Sequence, residues 1–228
     1  MIEHYFRTMP PVIKNFLIIN VLVFLATSMY VGPDFNLKSF LAVYFVKSDF
    51  FQPYQIITHM FTHVNFMHLF FNMFAMVMFG TILERQLGTK RFFILYFSCG
   101  LGALALYQSV AFIEYSVYLD QINSGTNSIA APFALLEILY TPAMGASGAI
   151  FGMLMLFMLL YPETEFILFP IPFRIKAKYY LPVLIYIEFY FGLQQLKGNE
   201  SNVAHFAHLG GALIGLVFYL VWRKKRIV

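Results

Sequence analysis

Six long apolar runs divide this chain, and they constrain its fold more than any other feature of the sequence. They lie at roughly Phe16–Val31, Phe66–Ile82, Phe92–Ile113, Ala146–Tyr161, Tyr179–Leu193 and Val203–Trp222. A helix needs about 20 mostly apolar residues to cross a bilayer, or somewhat fewer where the bilayer thins. Hydrophobic residues make up 60% of the chain and charged residues 11%, whereas a soluble domain is about 45–50% apolar and about 25% charged. The sequence therefore predicts an all-α, polytopic membrane protein with six transmembrane helices.

The organisation along the chain predicts one membrane domain over residues 1–228. There is no internal repeat, no low-complexity tract and no soluble domain at either end. The fourth and fifth runs are short for a full span, which indicates helices that begin below the membrane surface inside a protein-lined recess. The single cysteine, Cys99, has no partner for an internal disulfide, and its apolar surroundings predict a buried packing residue.

The basic residues predict the orientation in the membrane. Twelve of the 15 lysines and arginines flank the runs on one side, and the other side carries only Lys38, Lys47 and Lys197. Because cytoplasmic loops are enriched in lysine and arginine, both termini are predicted to be cytoplasmic. The fourth and sixth runs then both start near the outer face. This placement also explains the net charge of +4 without a nucleic-acid partner, and the compact chain is expected in the plasma membrane of a bacterium.

Two outer loops are long. The first, at about Gly32–Asn65, carries aromatic patches of the kind that lie in the membrane interface. The second, Glu114–Met144, has no lysine or arginine and ends in the apolar piece Phe133–Tyr140. We predict that this second loop forms an ordered flap or lid.

Polar side chains inside the apolar runs mark either a functional site or a bond between helices. Ser147 opens the fourth run and His208 opens the sixth. Glycines recur on one face of each run, at Gly148 and Gly152 and at Gly211 and Gly215. Such faces let two helices approach closely. From spacing alone, contact between Ser147 and His208 and packing by the glycines are equally open. His205, one turn earlier, lacks glycines at the equivalent spacing, so His208 is the better candidate for a base.

The second run carries a further group of polar residues. His68 and Asn72 are four residues apart, so they share one helix face. They are suitable donors for an oxyanion, or equally for hydrogen bonds between helices. His63 falls on a different face of a continuous helix, which indicates that it precedes the helix or packs on the first outer loop. His59 and His63 have the spacing of metal ligands, but no second histidine motif accompanies them, so we predict no metal and no cofactor.

Three separated motifs resemble those of the rhomboid family of intramembrane serine proteases. They are His63-x4-His68-x3-Asn72, Gly145-Ala146-Ser147-Gly148 and Ala207-His208-x2-Gly211-x3-Gly215. Glu84 also matches a structural glutamate that the family keeps at the end of its second span. The six-span layout covers nearly the whole chain.

The resemblance implies a hydrolase, a serine endopeptidase that uses a Ser–His dyad without an acidic third member. Ser147 would be the nucleophile and His208 the general base and acid. His68, Asn72 and the backbone N–H of Ser147 would stabilise the oxyanion, with Gly145 in the same binding site. Its partners would be the lipid bilayer and transmembrane proteins that are cut in or near a membrane helix. The family favours a small residue before the cut and helix-weakening residues after it.

Three positions depart from the family pattern. Tyr54-Gln55 stands where many members have Trp-Arg, and Phe151 stands where many have a tyrosine that stacks on the catalytic histidine. The loop Glu114–Met144 is also long. Glu188 is a separate question, because a charge inside the fifth run is costly. It either faces a water-filled gap near the substrate gate, is protonated, or is hydrogen-bonded near a surface.

Two other functions compete with an active protease. A catalytically silent relative that binds membrane clients is one, although such relatives usually lack the serine or the histidine, and both are present here. A membrane metalloenzyme built on the histidines is the other.

Overall fold

The computed structural model describes residues 8–32, 35–126, 129–167, 174–196 and 204–226. In chain order its helices are α1 (Pro11–Met29), α2 (Leu37–Leu41), α3 (Gln55–Thr58), α4 (Phe66–Ala75), α5 (Thr81–Leu87), α6 (Thr89–Ser124), α7 (Ala130–Tyr140), α8 (Ser147–Leu160), α9 (Ala177–Leu196) and α10 (His205–Lys224). A 3₁₀ turn at His59–Phe61 follows α3, and a π-helical segment, Met76–Gly80, joins α4 to α5. Within the described ranges, strands β1 (Glu165–Ile167) and β2 (Arg174–Lys176) form an antiparallel hairpin. Apart from this hairpin the secondary structure of the described residues is nearly all helical, which confirms the predicted fold class, whereas the predicted count of six transmembrane helices stays a prediction.

Among the described residues, four helical stretches are long and apolar enough to cross a membrane: α1, the continuous stretch Phe66–Leu87, α6 and α10. Each overlaps most of one predicted span, so the chain is a polytopic membrane protein. The helix of the fourth predicted span, α8, has only 14 residues, as the short fourth run indicates. The fifth predicted span lies within α9, which has 20 residues but is not among the four stretches apolar enough to cross a membrane. Its helix continues at both ends through polar residues that a search for apolar runs discards, such as Lys178 and Gln195.

The loop predicted between Glu114 and Met144 is instead mostly a helical hairpin. Helix α6 continues to Ser124 over 36 residues, so it is about 54 Å long at about 1.5 Å per residue. That exceeds the hydrocarbon core of a bilayer, which is about 30 Å thick. Gly125 ends the helix with a φ of +72°, and α7 then packs back on α6. The apolar run ends at Ile113, but the helix does not, because polar residues lower the hydropathy without breaking a helix.

The core of the protein is α8, which packs against α6, α9 and α10. Helices α8 and α10 meet through their glycine faces. A methyl group added at Gly211 would collide with the carbonyl oxygen of Gly148, and one at Gly215 would collide with that of Gly152. Only glycine permits this backbone-to-backbone contact. The contact brings the start of α8 beside the start of α10.

Glu84 joins the second span to the start of the first. Its side chain is buried, and its two carboxylate oxygens accept hydrogen bonds from the backbone N–H groups of Val12 and Ile13, at 3.0 and 2.9 Å. These N–H groups belong to the first turn of α1, where no intrahelical acceptor exists. A negative charge at this end also complements the helix dipole. Glu84 therefore anchors α1 to the rest of the bundle.

Gln55 organises the first outer loop. Its buried side-chain oxygen accepts from the N–H groups of Gln52 and Tyr44, at 3.0 and 3.4 Å, while its nitrogen donates to the carbonyls of Phe50 and Phe40, at 3.0 and 3.3 Å. At a position where many family members have arginine, a neutral amide thus ties four loop backbone positions together.

The same loop holds the segment before α8. Val43 and Ala143 exchange two backbone hydrogen bonds, at 2.9 and 2.8 Å, and the N–H of Gly145 donates to the carbonyl of His59 at 2.9 Å. These three bonds fix the approach of the chain to Ser147.

Candidate active site

Ser147 and His208 are in direct contact. Ser147 is the first residue of α8, and His208 lies in the first turn of α10. The distance from Ser147 Oγ to His208 Nε2 is 2.8 Å, and the histidine is buried. With the ring proton on Nδ1, Nε2 accepts the hydrogen bond from the serine hydroxyl. This is the arrangement in which an imidazole takes the proton of an attacking serine.

The ring of Phe151 lies flat against His208. The two ring centroids are 4.1 Å apart and their planes differ by 6°. Phe151 follows Ser147 by one helical turn, so both residues face α10 from the same side of α8. The stack fixes the plane of the imidazole while the serine occupies its edge. A phenylalanine thus provides the ring surface for which the family commonly uses tyrosine.

Gly145 brings His68 close to Ser147. Its φ of +134° is strained for any residue with a side chain. A methyl group here would lie 2.8 Å from Cε1 and 2.9 Å from Nε2 of His68, and 3.6 Å from the hydroxyl oxygen of Ser147. The His68 ring and the Ser147 hydroxyl therefore border the same glycine.

Asn72 presents an unused hydrogen-bond donor one turn beyond His68. Its side chain is buried, and its amide nitrogen has no hydrogen-bond partner among the described residues. Burying such a donor unsatisfied costs about 1–3 kcal/mol. The start of this helix is fixed by Asn65, whose side-chain oxygen accepts from the backbone N–H of His68 at 2.9 Å. The helix thus holds both side chains on one face.

His63 precedes α4 and supports His68 from the side. It is fully buried, and its ring meets that of His68 edge-on, with centroids 5.0 Å apart. Burial, assisted by the nearby His68, lowers the pKa of His63 to about 3, so the ring is neutral at physiological pH. Within the described part of the chain, neither ring nitrogen of His63 has a hydrogen-bond partner.

A narrow cavity adjoins Ser147. His59, Tyr107 and Met144 contribute to its wall, and most of the remaining wall consists of small residues, which include Gly100, Ala103, Ala143, Gly145, Gly148, Ala204 and Ala207. His59 Nδ1 donates to the carbonyl of Gln55 at 2.8 Å, and burial lowers the pKa of His59 to about 4. The cavity therefore offers space for a small group beside Ser147.

Glu188 is the site neighbour that sequence reasoning did not place. Its buried Oε2 lies 2.7 Å from Nδ1 of His205 and 3.0 Å from Nδ1 of His208. The sequence signal was the costly charge inside an apolar run, but the partner of that charge depends on how α9 is rotated against α10. His205 thus contacts the carboxylate of Glu188, whereas His208 contacts both this carboxylate and the hydroxyl of Ser147.

Comparison with known proteins gives one family and several relatives. The Rhomboid domain family model matches residues 51–225. Rhomboid protease AarA of Providencia stuartii is 31% identical over 177 residues, which cover 74% of this chain and 57% of that protein. Rhomboid protein 1, mitochondrial, of Saccharomyces cerevisiae is 30% identical over 163 residues, covering 72% of this chain and 40% of that protein.

A plant relative extends the match. RHOMBOID-like protein 12, mitochondrial, of Arabidopsis thaliana is 27% identical over 198 residues, which cover 84% of this chain and 54% of that protein. The chain thus spans about half the length of these curated relatives. Because bacterial and mitochondrial names both occur among them, the expectation of a bacterial plasma membrane has no support from the comparisons.

Proposed function

The chain belongs to the rhomboid family, and from that premise we propose that it is an intramembrane serine endopeptidase that cuts membrane-embedded proteins. One observation carries the proposal: the hydroxyl of Ser147 lies 2.8 Å from Nε2 of the buried His208. A serine at the head of an apolar helix, paired with an imidazole at the same depth, provides a nucleophile and its base inside the bundle.

The reaction proceeds in two stages. Ser147 Oγ attacks the scissile carbonyl carbon while His208 Nε2 takes the hydroxyl proton, and the carbonyl oxygen becomes an oxyanion. Collapse of this intermediate breaks the C–N bond, and Nε2 gives the proton to the leaving amine. Water then attacks the acyl-enzyme ester with His208 again as base, which releases the acid product and restores Ser147.

We assign the oxyanion to donors at the start of α8 and on α4. The backbone N–H of Ser147 belongs to the first turn of α8, where helical N–H groups have no intrahelical acceptor. The unused amide of Asn72 and the ring of His68, which borders Gly145, supply side-chain donors. Each donor of this kind is worth about 2.7–4 kcal/mol of transition-state stabilisation in hydrolases.

The narrow cavity supports a preference for substrates with a small residue before the cut. The space beside Ser147 is small, because Leu104, Tyr107 and Met144 close a cavity whose other walls are mostly glycine and alanine. Helix-weakening residues after the cut would help, since the scissile peptide must leave its helix to reach the serine. We further propose that the site opens to the membrane face opposite the lysine- and arginine-rich side, which places both termini in the cytoplasm.

The test is proteolysis in liposomes. Purified protein is mixed with a transmembrane substrate that has a small residue near one end of its helix, and products are identified by mass spectrometry. We expect wild type to cleave and Ser147→Ala to fall by about 10⁶-fold, as for other serine hydrolases that lose their nucleophile. Labelling of Ser147 by a fluorophosphonate, lost in His208→Ala, tests the pair separately.

Three outcomes would contradict the proposal. Equal cleavage by wild type and Ser147→Ala would remove the serine from the mechanism. Cleavage that persists in Ser147→Ala and disappears with a chelator would favour a histidine-based metalloenzyme. Wild-type protein that binds the substrate without cutting it, and does not react with the fluorophosphonate, would favour a catalytically silent client-binding relative.

A further inference from the structure

We propose that Glu188 is an acidic third member of this site, a positioning residue that holds His208 in its working tautomer and orientation. The inference rests on the proposed function, in which Ser147 and His208 carry out the chemistry. It departs from the dyad that the family resemblance implies.

The first argument is the order of contacts through the imidazole. Oε2 of Glu188 lies 3.0 Å from Nδ1 of His208, while the other ring nitrogen, Nε2, lies 2.8 Å from Oγ of Ser147. Carboxylate, imidazole and hydroxyl therefore follow one another as in a Ser–His–acid triad. A carboxylate at Nδ1 favours the tautomer with the proton on Nδ1, which leaves Nε2 free to accept the serine proton.

The second argument concerns charge. When His208 takes the proton of Ser147, a positive charge forms on the ring at 3.0 Å from the carboxylate. The ion partners that the structure places on Glu188, within its described residues, are His205 and His208, and neither is a permanent cation. The negative charge of Glu188 therefore lies beside the His208 ring, which becomes positively charged during the reaction. Such an interaction is stronger in the transition state than in the ground state, which is the condition for raising kcat.

The third argument is that the position of Glu188 is held from a second side. Its side chain is 10% exposed on an apolar helix, where an unpaired carboxylate is costly. His205 Nδ1, at 2.7 Å, forms a hydrogen bond to the same oxygen. The stack of the His205 ring on Phe191, with centroids 5.6 Å apart, fixes that ring in turn. The carboxylate is thereby held beside His208.

Glu188 and His208 are close enough for an ion pair, but their atoms are not aligned for a hydrogen bond. Among the described residues, Nδ1 of His208 therefore has no hydrogen-bond acceptor. Catalytic hydrogen bonds in substrate-free sites are often poorly aligned and tighten when the substrate is bound. A small rotation of the ring within its stack on Phe151 would align the two groups. The competing role for Glu188 is a purely structural tie from α9 to α10 through His205.

Glu188→Gln separates the two roles in the liposome assay. The glutamine oxygen still accepts from His205, so the tie between the helices is retained while the charge is lost. We expect kcat to fall by at least about 10-fold and by up to about 10⁴-fold, the loss seen when a triad aspartate becomes asparagine, with KM within about 3-fold of wild type. Glu188→Asp, which keeps the charge, should retain more activity than Glu188→Gln.

Gly192→Ala is the matched control on α9. It lies one turn beyond Glu188, and its added methyl group would press on the Phe206 ring of α10 at 3.2 Å. This change disturbs the packing of α9 on α10 but leaves the carboxylate in place. We expect a lowered melting temperature in detergent with kcat within about 3-fold of wild type, since the transition-state contact is kept.

The outcomes separate this inference from the proposed function. Wild-type kcat in folded Glu188→Gln would overturn the role of Glu188 and leave it as a structural tie, with the serine mechanism intact. A fall in kcat for Gly192→Ala equal to that for Glu188→Gln would do the same. If Glu188→Gln does not fold, wild-type kcat in Glu188→Asp would overturn the role, because the shorter side chain withdraws from Nδ1. Wild type that neither cleaves nor reacts with a fluorophosphonate would remove the proposed function and this inference together.

Discussion

At the scale of single residues, the site depends on how one imidazole is held from three directions. Ser147 lies at one edge of His208, Glu188 at the other edge and Phe151 against its face. The hydroxyl of a tyrosine at position 151 would add nothing to a stack of this geometry, because the contact is made by the ring face. The phenylalanine is therefore compatible with catalysis.

Phe151→Leu should lower kcat by about 2- to 10-fold, because an aromatic stack is worth about 0.5–1.5 kcal/mol and its loss lets the imidazole tilt. Phe151→Tyr should stay within about 2-fold of wild type. Phe133→Leu, which replaces a largely exposed aromatic ring on α7, is the control and should have no effect on kcat. The measurement is steady-state cleavage in liposomes. A tyrosine variant as slow as the leucine variant would contradict this role of the stack.

His59 and His63 make stability depend on pH. Burial lowers their pKa values from 6.5 to about 4 and about 3. Below pH 6.5 these two histidines bind protons in the unfolded chain but remain neutral in the folded chain. Their contribution to stability is therefore complete above pH 6.5 and is lost as the pH falls toward the folded values. Each histidine contributes a slope of up to about 1.4 kcal/mol per pH unit in this window.

We therefore expect the melting temperature in detergent to fall between pH 7 and pH 5, and to fall less in His63→Phe. The replacement suits the site, since no hydrogen bond of the His63 ring is found among the described residues. The chosen window lies above the range in which Glu163 titrates, because its bonds to Lys176 and Lys178 lower the pKa of that carboxyl to about 2. An unchanged slope in His63→Phe would show that this histidine is not the titrating group.

At the scale of elements, the glycine faces of α8 and α10 set the distance between Ser147 and His208. Both faces can be seen in the sequence as glycines four residues apart, and the structure shows that they are in backbone contact. The two catalytic candidates stand at the N-terminal ends of these helices, so their separation follows from how closely the glycine faces pack.

Gly211→Ala should separate the two helices, because its methyl group meets the carbonyl oxygen of Gly148 and no flexible side chain can yield. We expect kcat to fall by about 10²-fold, the effect of a displacement of about 1 Å at a reacting group. Stability should fall by about 1–3 kcal/mol from overpacking. Gly32→Ala is the matched control, since its methyl group would meet only the carbonyl of Phe35 at 3.8 Å. Wild-type kcat in Gly211→Ala would contradict the proposed role of this contact.

The sequence predicts those elements whose signal is local. Apolar runs locate the spans, and helical spacing identifies the shared faces of His68 with Asn72 and of the glycines. The helical hairpin of α6 and α7 was missed because a hydropathy window ends where polar residues begin, although those residues do not interrupt a helix. The contact between Glu188 and His208 was missed for another reason. It depends on the rotation of α9 against α10, which long-range packing determines.

At the scale of the whole molecule, the family match and the bundle do not begin at the same residue. The Rhomboid domain model starts at residue 51, whereas α1 lies earlier in the chain. Helix α1 is nevertheless part of the core, because Ile13 and Phe16 are buried and Glu84 binds its first turn. The hydrogen-bonded first outer loop connects α1 to the second span and also holds the segment before Ser147. The candidate active site is thus supported by elements outside the matched region.

The charge distribution makes a prediction about the molecule as a whole. Among the described residues, the Lys- and Arg-rich segments fall at one end of the bundle, where Glu163 pairs with Lys176 and Lys178 and the hydroxyl of Tyr161 donates to Gln86. The hairpin of α6 and α7 projects from the opposite end, where Ser147 begins α8. If basic residues keep their end in the cytoplasm, the hairpin and the active site face outward.

Single cysteines test this orientation in bacterial cells that express the chain. In a Cys99→Ala background, Thr126→Cys at the tip of the hairpin should react with a membrane-impermeant maleimide in intact spheroplasts. Lys224→Cys, at the end of α10, should react only after the membrane is opened. Both cysteines are exposed positions, so detergent should make them equally reactive, which controls for intrinsic reactivity. The native Cys99 is buried against Gly152 and should stay unlabelled in the folded wild type, so its replacement serves only to remove background.

Labelling of Lys224→Cys in intact spheroplasts would show that the topology is the inverse of the predicted one. It would place the opening of the active site on the cytoplasmic side, because Ser147 and the end of α10 lie at opposite ends of the same bundle.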